Sequence, residues 1–514
     1  MKSLRYISAA FLLCCAYFAN AQKQGSVWCF GDSALVDFSD TANIITGSSM
    51  VKSRGSCASI ADSAGSLLFY AGYNTDTWAA GGPPFQNGEI WNKQHQIMQN
   101  GDSIVMQAWY HEVLIIDNPS NNNQYYVFSI GVTGSSQLGL YYSIVDMSAN
   151  GGLGEVIQKN VQLHNYKSAD GLTAIKHGNG RDWWIINRRW NNINNTFYKY
   201  LISPAGVSDS MPQNIGFATN HGFGRIQFSN NGNKMVYYTL VGLLELYDFD
   251  RCTGQLSNLQ TIYPELTQAP LRWYWGACFS PDDNLLYISG IPIQSTDTSR
   301  LYQLDLTATN IAASADTLWQ THFNASMGFL KLAPDGKIYL ATSYYQYYPY
   351  KDTMYNNTNM YLSTINSPNS LGSACDLQPY SFYLGGKRTY GGLPNNPDYT
   401  LPAISGSPCD TLTGIAPLAT SAKRAELFVT YMASWQRLFV NAQHLKGKNI
   451  TLTIYDISGK LFYNTARALS PSGVGGSAGG YFTQDINCSA LAKGMYIVSL
   501  QTEKERLVNK FVVE

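Results

Sequence analysis

Apolar and polar positions along this chain fall into short runs separated by turn residues, and the arrangement recurs. In residues 276–290, GACFSPDDNLLYISG, an apolar run ends at Phe279, a Ser-Pro-Asp-Asp-Asn turn follows, and a second run begins at Leu285. Proline fixes φ at the corner, Asp and Asn bond their own backbone, and the flanking runs are rich in strand formers, so the segment predicts a β-hairpin. Residues 328–342, 224–239 and 56–70 repeat it, and 172–187 and 113–130 are looser copies. The last apolar residue before each turn is Ile60, Ile115, Ile175, Phe228, Phe279 and Leu332, at intervals of 55, 60, 53, 51 and 53 residues. A period near fifty carried by strand signals alone is that of a β-propeller blade with four short strands.

The repeats predict blades over 56–98, 106–161, 172–215, 223–262, 273–323 and 327–377, leaving 26–38 and 381–390 as unassigned strand-like pieces. An open ring would leave sheet edges and an apolar face uncovered, so both pieces are expected to build one further blade. Seven blades, over residues 22–404, are therefore preferred to six or eight. Residues 394–422 are rich in Pro, Ser, Thr and Gly, and a linker is assigned to 405–423. Over 424–514 short strand signals come at close spacing, as in a small Ig-like β-sandwich. The expected fold class is all-β, a seven-bladed propeller followed by that sandwich.

Composition adds an address. Lys2 and Arg5, the apolar residues 7–18 and Ala19-Asn20-Ala21 read as a cleaved secretory signal over 1–21. Cys14 and Cys15 allow a lipoprotein variant, although no good lipobox surrounds them. No later run of eighteen apolar residues occurs. Removal of Lys2 and Arg5 takes the formal charge from 0 to −2, which argues against nucleic acid or an anionic membrane as partner. Seven cysteines then remain, none in a CxxC pair, so zinc and thioredoxin-type chemistry are unsupported. Exported proteins oxidise their thiols, and Cys252 with Cys278, at matching ends of neighbouring blades, is the preferred disulfide; the alternative is that all seven are buried thiols.

The last ninety or so residues resemble the type A C-terminal sorting domain of the type IX secretion system. The carrying segments are KNITLTIYDISGK (448–460), DINCSALAKGMYIVSL (485–500) and KERLVNKFVV (504–513), with Tyr455, Asp456, Gly459, Gly494, Tyr496 and Lys510 as the motif positions. The usual opening Pro-Asn-Pro turn is replaced by LFVTYMASWQR (427–437). The resemblance implies export across the outer membrane of a Bacteroidota-type bacterium by way of the periplasm, with the type IX machinery as partner and the cargo released or held at the surface. The propeller portion is similar to that of gliding-motility-associated surface proteins of the same bacteria, through FGDSALVDF (30–38), residues 67–98 with IWNKQHQIM, AIKHGNGRDWW (174–184) and YDFDRCTGQLSN (247–258). That family implies fold and location, with no activity to carry over.

Candidate chemistry is sparse. Phe30-Gly31-Asp32-Ser33 superficially matches an esterase nucleophile block, but no later Asp-x-x-His and no βα alternation accompany it, so a turn between strands is expected. His177, Arg181, Asp182 and Trp183 form a dense polar–aromatic patch beside Trp184, readable as a ligand site at the channel rim or as blade core. His221, Arg225, Arg272 and Trp273, with Trp275, precede or open innermost strands, so several blades could aim them at one channel. Tyr344 to Tyr350 (YYQYYPY), Trp78 and residues 190–195 set aromatics beside amides, as sugar recognition does. Asp248 and Asp250 lack an EF-hand pattern, and no HExxH, P-loop or dinucleotide fingerprint occurs, so no metal and no cofactor is expected. The preferred reading is a monomeric, non-enzymatic binding or adhesion module for glycan or protein. The alternative is a hydrolase or lactonase-like propeller with its site at the channel mouth; fold alone cannot choose.

Overall fold

The computed structural model describes residues 23–74, 88–106, 110–131, 137–190, 193–219, 221–265, 273–291, 298–321, 325–344, 353–410, 425–433, 436–468 and 480–513. The chain divides into two compact units, residues 1–414 and 415–514.

Seven antiparallel sheets make up the first unit. β1 (Val27–Phe30), β2 (Asp32–Asp37) and β3 (Ile45–Lys52) form the N-terminal blade, and β4 (Cys57–Ala61), β5 (Leu67–Tyr73) and β6 (Gly88–Asn92) the next. β7 (Val113–Asn118), β8 (Asn121–Gly131), β9 (Gly139–Asp146) and β10 (Glu155–His164) follow as a meander. β11 (Ser168–Lys176), β12 (Trp183–Arg189) and β13 (Asn194–Ser203) pair in turn, with β14 (Gly206–Val207) and β15 (Met211–Thr219) both on β13. β16 (Gly224–Phe228), β17 (Lys234–Thr239), β18 (Leu244–Asp250) and β19 (Gln255–Tyr263) form the next blade. β20 (Trp273–Phe279), β21 (Leu285–Ile291), β22 (Arg300–Asp305) and β23 (Asp316–Gln320) form another. β24 (Ala325–Leu332), β25 (Ile338–Tyr344), β26 (Tyr361–Ile365) and β27 (Leu377–Tyr383) complete the ring.

Successive first strands, β1, β4, β7, β11, β16, β20 and β24, lie side by side around the axis. The aligned apolar residues all fall in these strands as the period predicts, and Ile60, Ile115, Ile175 and Phe279 are buried in the cores between blades. The ring closes where Tyr339 of β25 packs edge-on against Trp28 and Phe38, with ring centroids 5.9 and 5.2 Å apart.

The closure differs from the expectation. The N-terminal blade takes all three strands from residues 27–52, whereas residues 381–383 belong to β27 in the last blade. The two predicted closing pieces still meet, through one backbone bridge: the Asp32 N–H donates to the Arg388 carbonyl at 2.8 Å, and Arg388 Nε donates to the Asp32 carboxylate at 2.7 Å.

The stretch after β27 accounts for the axis. We call the end of the ring at which the first strands begin its upper end, and the opposite end its lower. The Gly391 carbonyl accepts the N–H of Phe329 at 2.7 Å, so close an approach that a Cβ at Gly328 would collide with that carbonyl. Asn395 donates from its amide to the Val113 and Leu172 carbonyls (3.1 and 2.8 Å) and from its backbone to Cys57 (2.8 Å). Asn396 accepts from Ser59 at 2.9 Å and receives Lys331 Nζ on its carbonyl at 2.9 Å. The Tyr399 hydroxyl reaches Ile115 (2.8 Å), the Pro402 carbonyl accepts from Arg251 (2.8 Å), and Ile404 donates to Gly178 just beyond the end of β11 (2.8 Å). Residues 391–404 thus run from upper to lower end inside the ring, satisfying carbonyls of β4, β7 and β11 that face the axis. The channel is filled by its own chain.

The preferred disulfide is corrected. Cys252 pairs with Cys409, their Cα atoms 5.5 Å apart, and closes a loop of 157 residues. Cys278 sits inside β20 with its thiol in the core shared with Met327, Ile338 and Cys375, while Cys252 lies in the lower turn after β18. A strand interior and a face turn cannot meet. Residues 405–410, read as linker, are held to the propeller by this bond.

The second unit is a two-sheet sandwich. β28 (Glu426–Met432), β29 (Arg437–Leu445) and β32 (Gly480–Asn487) form one sheet. β31 (Leu461–Ala468), β30 (Asn449–Asp456), β33 (Gly494–Thr502) and β34 (Arg506–Val513) form the other, in that spatial order. Leu438, Val440, Leu452, Ile454, Val498 and Leu500 fill the space between them. Tyr455 and Asp456 end β30; the Asp456 carboxylate takes the N–H groups of Ser458 and Lys460, and Gly459 supplies the left-handed residue (φ +85°) of that hairpin. Tyr496 is buried on Phe511 and donates to the Ala492 carbonyl at 2.8 Å, and Lys510 is exposed on β34.

Candidate functional site at the upper face

The eight residues singled out as ligand contacts separate between the two ends of the ring. His177, Arg181 and Asp182 occupy the lower β11–β12 turn, where each bonds another. His177 Nδ1 accepts from Asn179 at 3.1 Å, which leaves Nε2–H to donate to the Cys252 carbonyl at 2.9 Å. Asp182 takes Arg181 Nε at 2.7 Å and Asn179 Nδ2 at 2.8 Å. Trp183 is wholly buried, with Lys176 Nζ 4.6 Å above its ring and Tyr399 edge-on at 5.8 Å. The arrangement builds a rigid turn and a seat for Cys252. Beside the emerging tail, Asn230, Asn231, Asp282, Asp283 and Arg251 wall a shallow depression of about 480 Å³. Asp283 and Arg251 there spend their polar atoms on backbone groups of the same walls.

Among the described residues no group of three His, Cys, Asp or Glu is placed to hold a metal. Asp248 pairs with Lys234 at 3.1 Å, and Asp250 caps the turn carrying Cys252 and Thr253. The Gly31-Asp32-Ser33 block is the β1–β2 turn, its carboxylate engaged by Arg388.

At the upper end, His221, Arg225 and Trp273 are joined by residues that sequence reasoning passed over; Arg272 lies outside the described residues. Arg225 is fully buried, its guanidinium 3.9 Å from the centre of the Tyr110 ring and 5.0 Å from that of Trp275, with Nη1 donating to the Tyr274 carbonyl. His111 stacks on Phe329 at 4.0 Å, and burial, with Arg225 and Lys331 nearby, holds its pKa well below the usual histidine range. Asp170, fixed by its N–H to the Gly222 carbonyl at 2.9 Å, is buried near Arg225; burial outweighs that charge and raises its carboxyl to about 7. Burial likewise lowers Lys331 to about 8. Tyr110, His111 and Asp170 were invisible in the sequence because two blades supply them and a third supplies the Arg225 they surround; their common signal is position, at or just before the start of a first strand.

Asp170 carries a pH prediction. Its folded pKa lies above the unfolded value of about 3.9, so ionisation opposes folding. Its contribution to stability is fully present below about pH 4 and is lost as pH rises towards 7. Asp170→Asn should therefore gain on wild type in urea midpoint between pH 4.5 and 7.5. A difference that stays constant over this range would show that the carboxyl titrates normally.

Above this buried layer is an exposed rim on the β11 and β16 blades. Ile193, Phe217 and Phe223 are 68, 41 and 44% exposed. Trp190 lies at the same end, its ring against Gly222 and Lys167 Nζ 5.1 Å from its centre. His221 Nε2 meets the Glu265 carboxylate at 2.9 Å. The rim backbone is fixed from beneath: Glu245 accepts the Phe217 N–H at 2.6 Å, and buried Arg188 donates to the Phe217 carbonyl. Of the other aromatics read as sugar contacts, Trp78 and Tyr345 to Tyr350 lie outside the described residues.

Residues 436–514 match the secretion system C-terminal sorting domain family, which makes the chain cargo for type IX export to the cell surface or medium. No curated protein matches the sequence. Among solved structures, the β-propeller domain of Myceliophteria thermophila Cps50 (Swd1) is similar at 10% identity and a TM-score of 0.37, over 63% of this chain and 94% of that one. A prolyl endopeptidase, from a structural and mechanistic study of two such enzymes, aligns at 10% identity and a TM-score of 0.35 over 85% of this chain; the match spans 56% of that protein's length.

Proposed function

We propose that the propeller works outside the cell as a binding or adhesion module, taking a protein or glycan ligand on the upper rim of the β11 and β16 blades. The carrying observation is that Ile193, Phe217 and Phe223 are all exposed at the upper end of the β11 and β16 blades, where the backbone is held by the buried Arg188 and Glu245. Clustered exposed apolar side chains with a polar border mark interaction sites, and an aliphatic Ile beside two Phe suits a protein surface better than a sugar ring. The filled axis supports a ligand on a face rather than in a channel. The sorting domain and the resemblance to gliding-associated surface proteins support the same address, with the module acting as a monomer.

The full chain and a Phe217→Ser/Phe223→Ser variant, tested against immobilised glycans and a panel of extracellular proteins, decide the matter. Wild type should bind at least one ligand, and the variant should lose it tenfold or more while unfolding at the same temperature. Equal binding by both would remove the rim from the site.

The second reading, a hydrolase at the channel mouth, has its support in His111, Glu112, Asp170 and Arg225, which three successive blades bring to the upper axis. Those groups are buried, with Tyr110 against the Arg225 guanidinium and Phe329 stacked on His111, which argues against an open site there. Hydrolysis of ester or lactone substrates by wild type, abolished in Asp170→Asn, would favour it.

A further inference from the structure

Residues 389–410 are attached to the ring unevenly. As far as residue 402 the segment is held by buried side chains and by hydrogen bonds to β4, β7 and β24. Residues 402, 404, 405, 406 and 408 are exposed, and the backbone contact from this end to the ring is the Ile404–Gly178 hydrogen bond. The Cys252–Cys409 bond is what fastens it.

One half of that bond is prebuilt. The Cys252 N–H donates to Asp250 at 2.8 Å, its carbonyl accepts from His177 at 2.9 Å, and Gly178 leaves room where a Cβ would run into both sulfurs. The remaining cysteines, Cys29, Cys57, Cys278, Cys375 and Cys488, are buried thiols. Burial holds Cys29 well above the usual thiol range and raises Cys278 to about 12, which suppresses the reactive thiolate. Thiol chemistry on the folded chain is thereby confined to the partly exposed pair.

We propose that Cys252–Cys409 is a redox latch on the axial segment. Oxidised, it holds the end of the segment on the lower face and keeps residues 389–402 threaded; reduced, it lets the segment withdraw from its lower end and loosens the ring. Closing the latch removes two protons and two electrons from the two thiols. A disulfide-bearing oxidant, either a thiol oxidoreductase or oxidised glutathione, accepts them and leaves as two thiols. A dithiol reductant reverses the exchange.

The axial segment has Tyr390 and Tyr399, neither followed by proline, but neither Lys nor Arg, so chymotrypsin reads its exposure where trypsin cannot. Denatured without reductant, residues 22–514 should titrate five thiols, and seven after dithiothreitol. On the folded full chain, reduction should raise cleavage after Tyr399 at least tenfold and lower the melting temperature by about 5 °C, as expected for releasing so long a loop. Oxidised glutathione should restore both, and Cys252→Ser/Cys409→Ser should behave as the reduced chain at any redox state. Gly178→Ala should fold yet re-form the bond more slowly. Seven thiols before reduction, or unchanged cleavage after Tyr399 once the bond is broken, would overturn the proposal; because reduction is applied to the folded wild type, the test survives a variant that fails to fold.

Discussion

Tyr399→Ala in the full chain should lower the unfolding free energy of the propeller by about 3–5 kcal/mol, the range for truncating a large buried aromatic. The residue lies in a stretch whose composition reads as linker, where substitution should cost nothing. Its ring is 2% exposed, packs edge-on to Trp183, and sits in the core shared by the β4, β7 and β11 blades. Its hydroxyl caps the Ile115 carbonyl at 2.8 Å, so Tyr399→Phe should cost about 1 kcal/mol, the net worth of one hydrogen bond. Ten of the eleven tryptophans lie in the propeller unit, so a urea titration followed by indole fluorescence reports on this unit rather than on the sandwich. A loss under about 1 kcal/mol for the alanine would mean that the axial segment is a passenger and the ring stands without it.

Glu245→Ala should be comparably severe, at about 3–5 kcal/mol, because it strands a buried cation. Arg188 and Glu245 are 1 and 0% exposed, with Nη1 and Oε2 3.7 Å apart. The carboxylate also accepts from the Tyr247 hydroxyl and the Phe217 N–H, both at 2.6 Å, and the guanidinium lies 4.1 Å from the centre of the Tyr237 ring. Replacing both charges with apolar residues, as in Arg188→Met/Glu245→Leu, should recover most of the stability, since the pair is dear to break and cheap to replace. It should not recover the rim, because Phe217 would still lack the acceptor for its N–H and the donor to its carbonyl. Hydrogen exchange at Phe217 separates the two effects. Slow exchange in the double variant would show that the ion pair has no part in shaping the upper surface.

How much of this was legible in the sequence follows from what each segment buries. The blades were readable because each first strand carries an apolar residue shortly before a turn built from Asn, Asp, Gly or Pro, a signal that survives with no tertiary information. β3 was not readable: ITGSSMVK pairs with β2 on one side but leaves Ile45 and Met50 exposed, so its pattern resembles a surface loop. The axial segment was misread for a related reason. Asn395, Asn396, Thr389 and the glycines at 391 and 392 look solvent-loving, yet inside the ring Asn395 donates to the Val113 and Leu172 carbonyls, Asn396 accepts the Ser59 N–H and Thr389 accepts the Gly391 N–H. The upper cluster was half visible: His221, Arg225 and Trp273 stood out singly, while Asp170 and His111 gained meaning only when three blades met.

The position of Cys409 bears on how the exported chain withstands proteases. A single break anywhere from Thr253 to Pro408 leaves both fragments covalently joined, because the two sulfurs span it. Two whole blades and part of a third lie inside that span. A cut between Asp410 and Ile415 breaks the chain between the two units and leaves the span untouched. Clipping of the loops in this half of the ring would therefore show on a reducing gel and stay hidden on a non-reducing one.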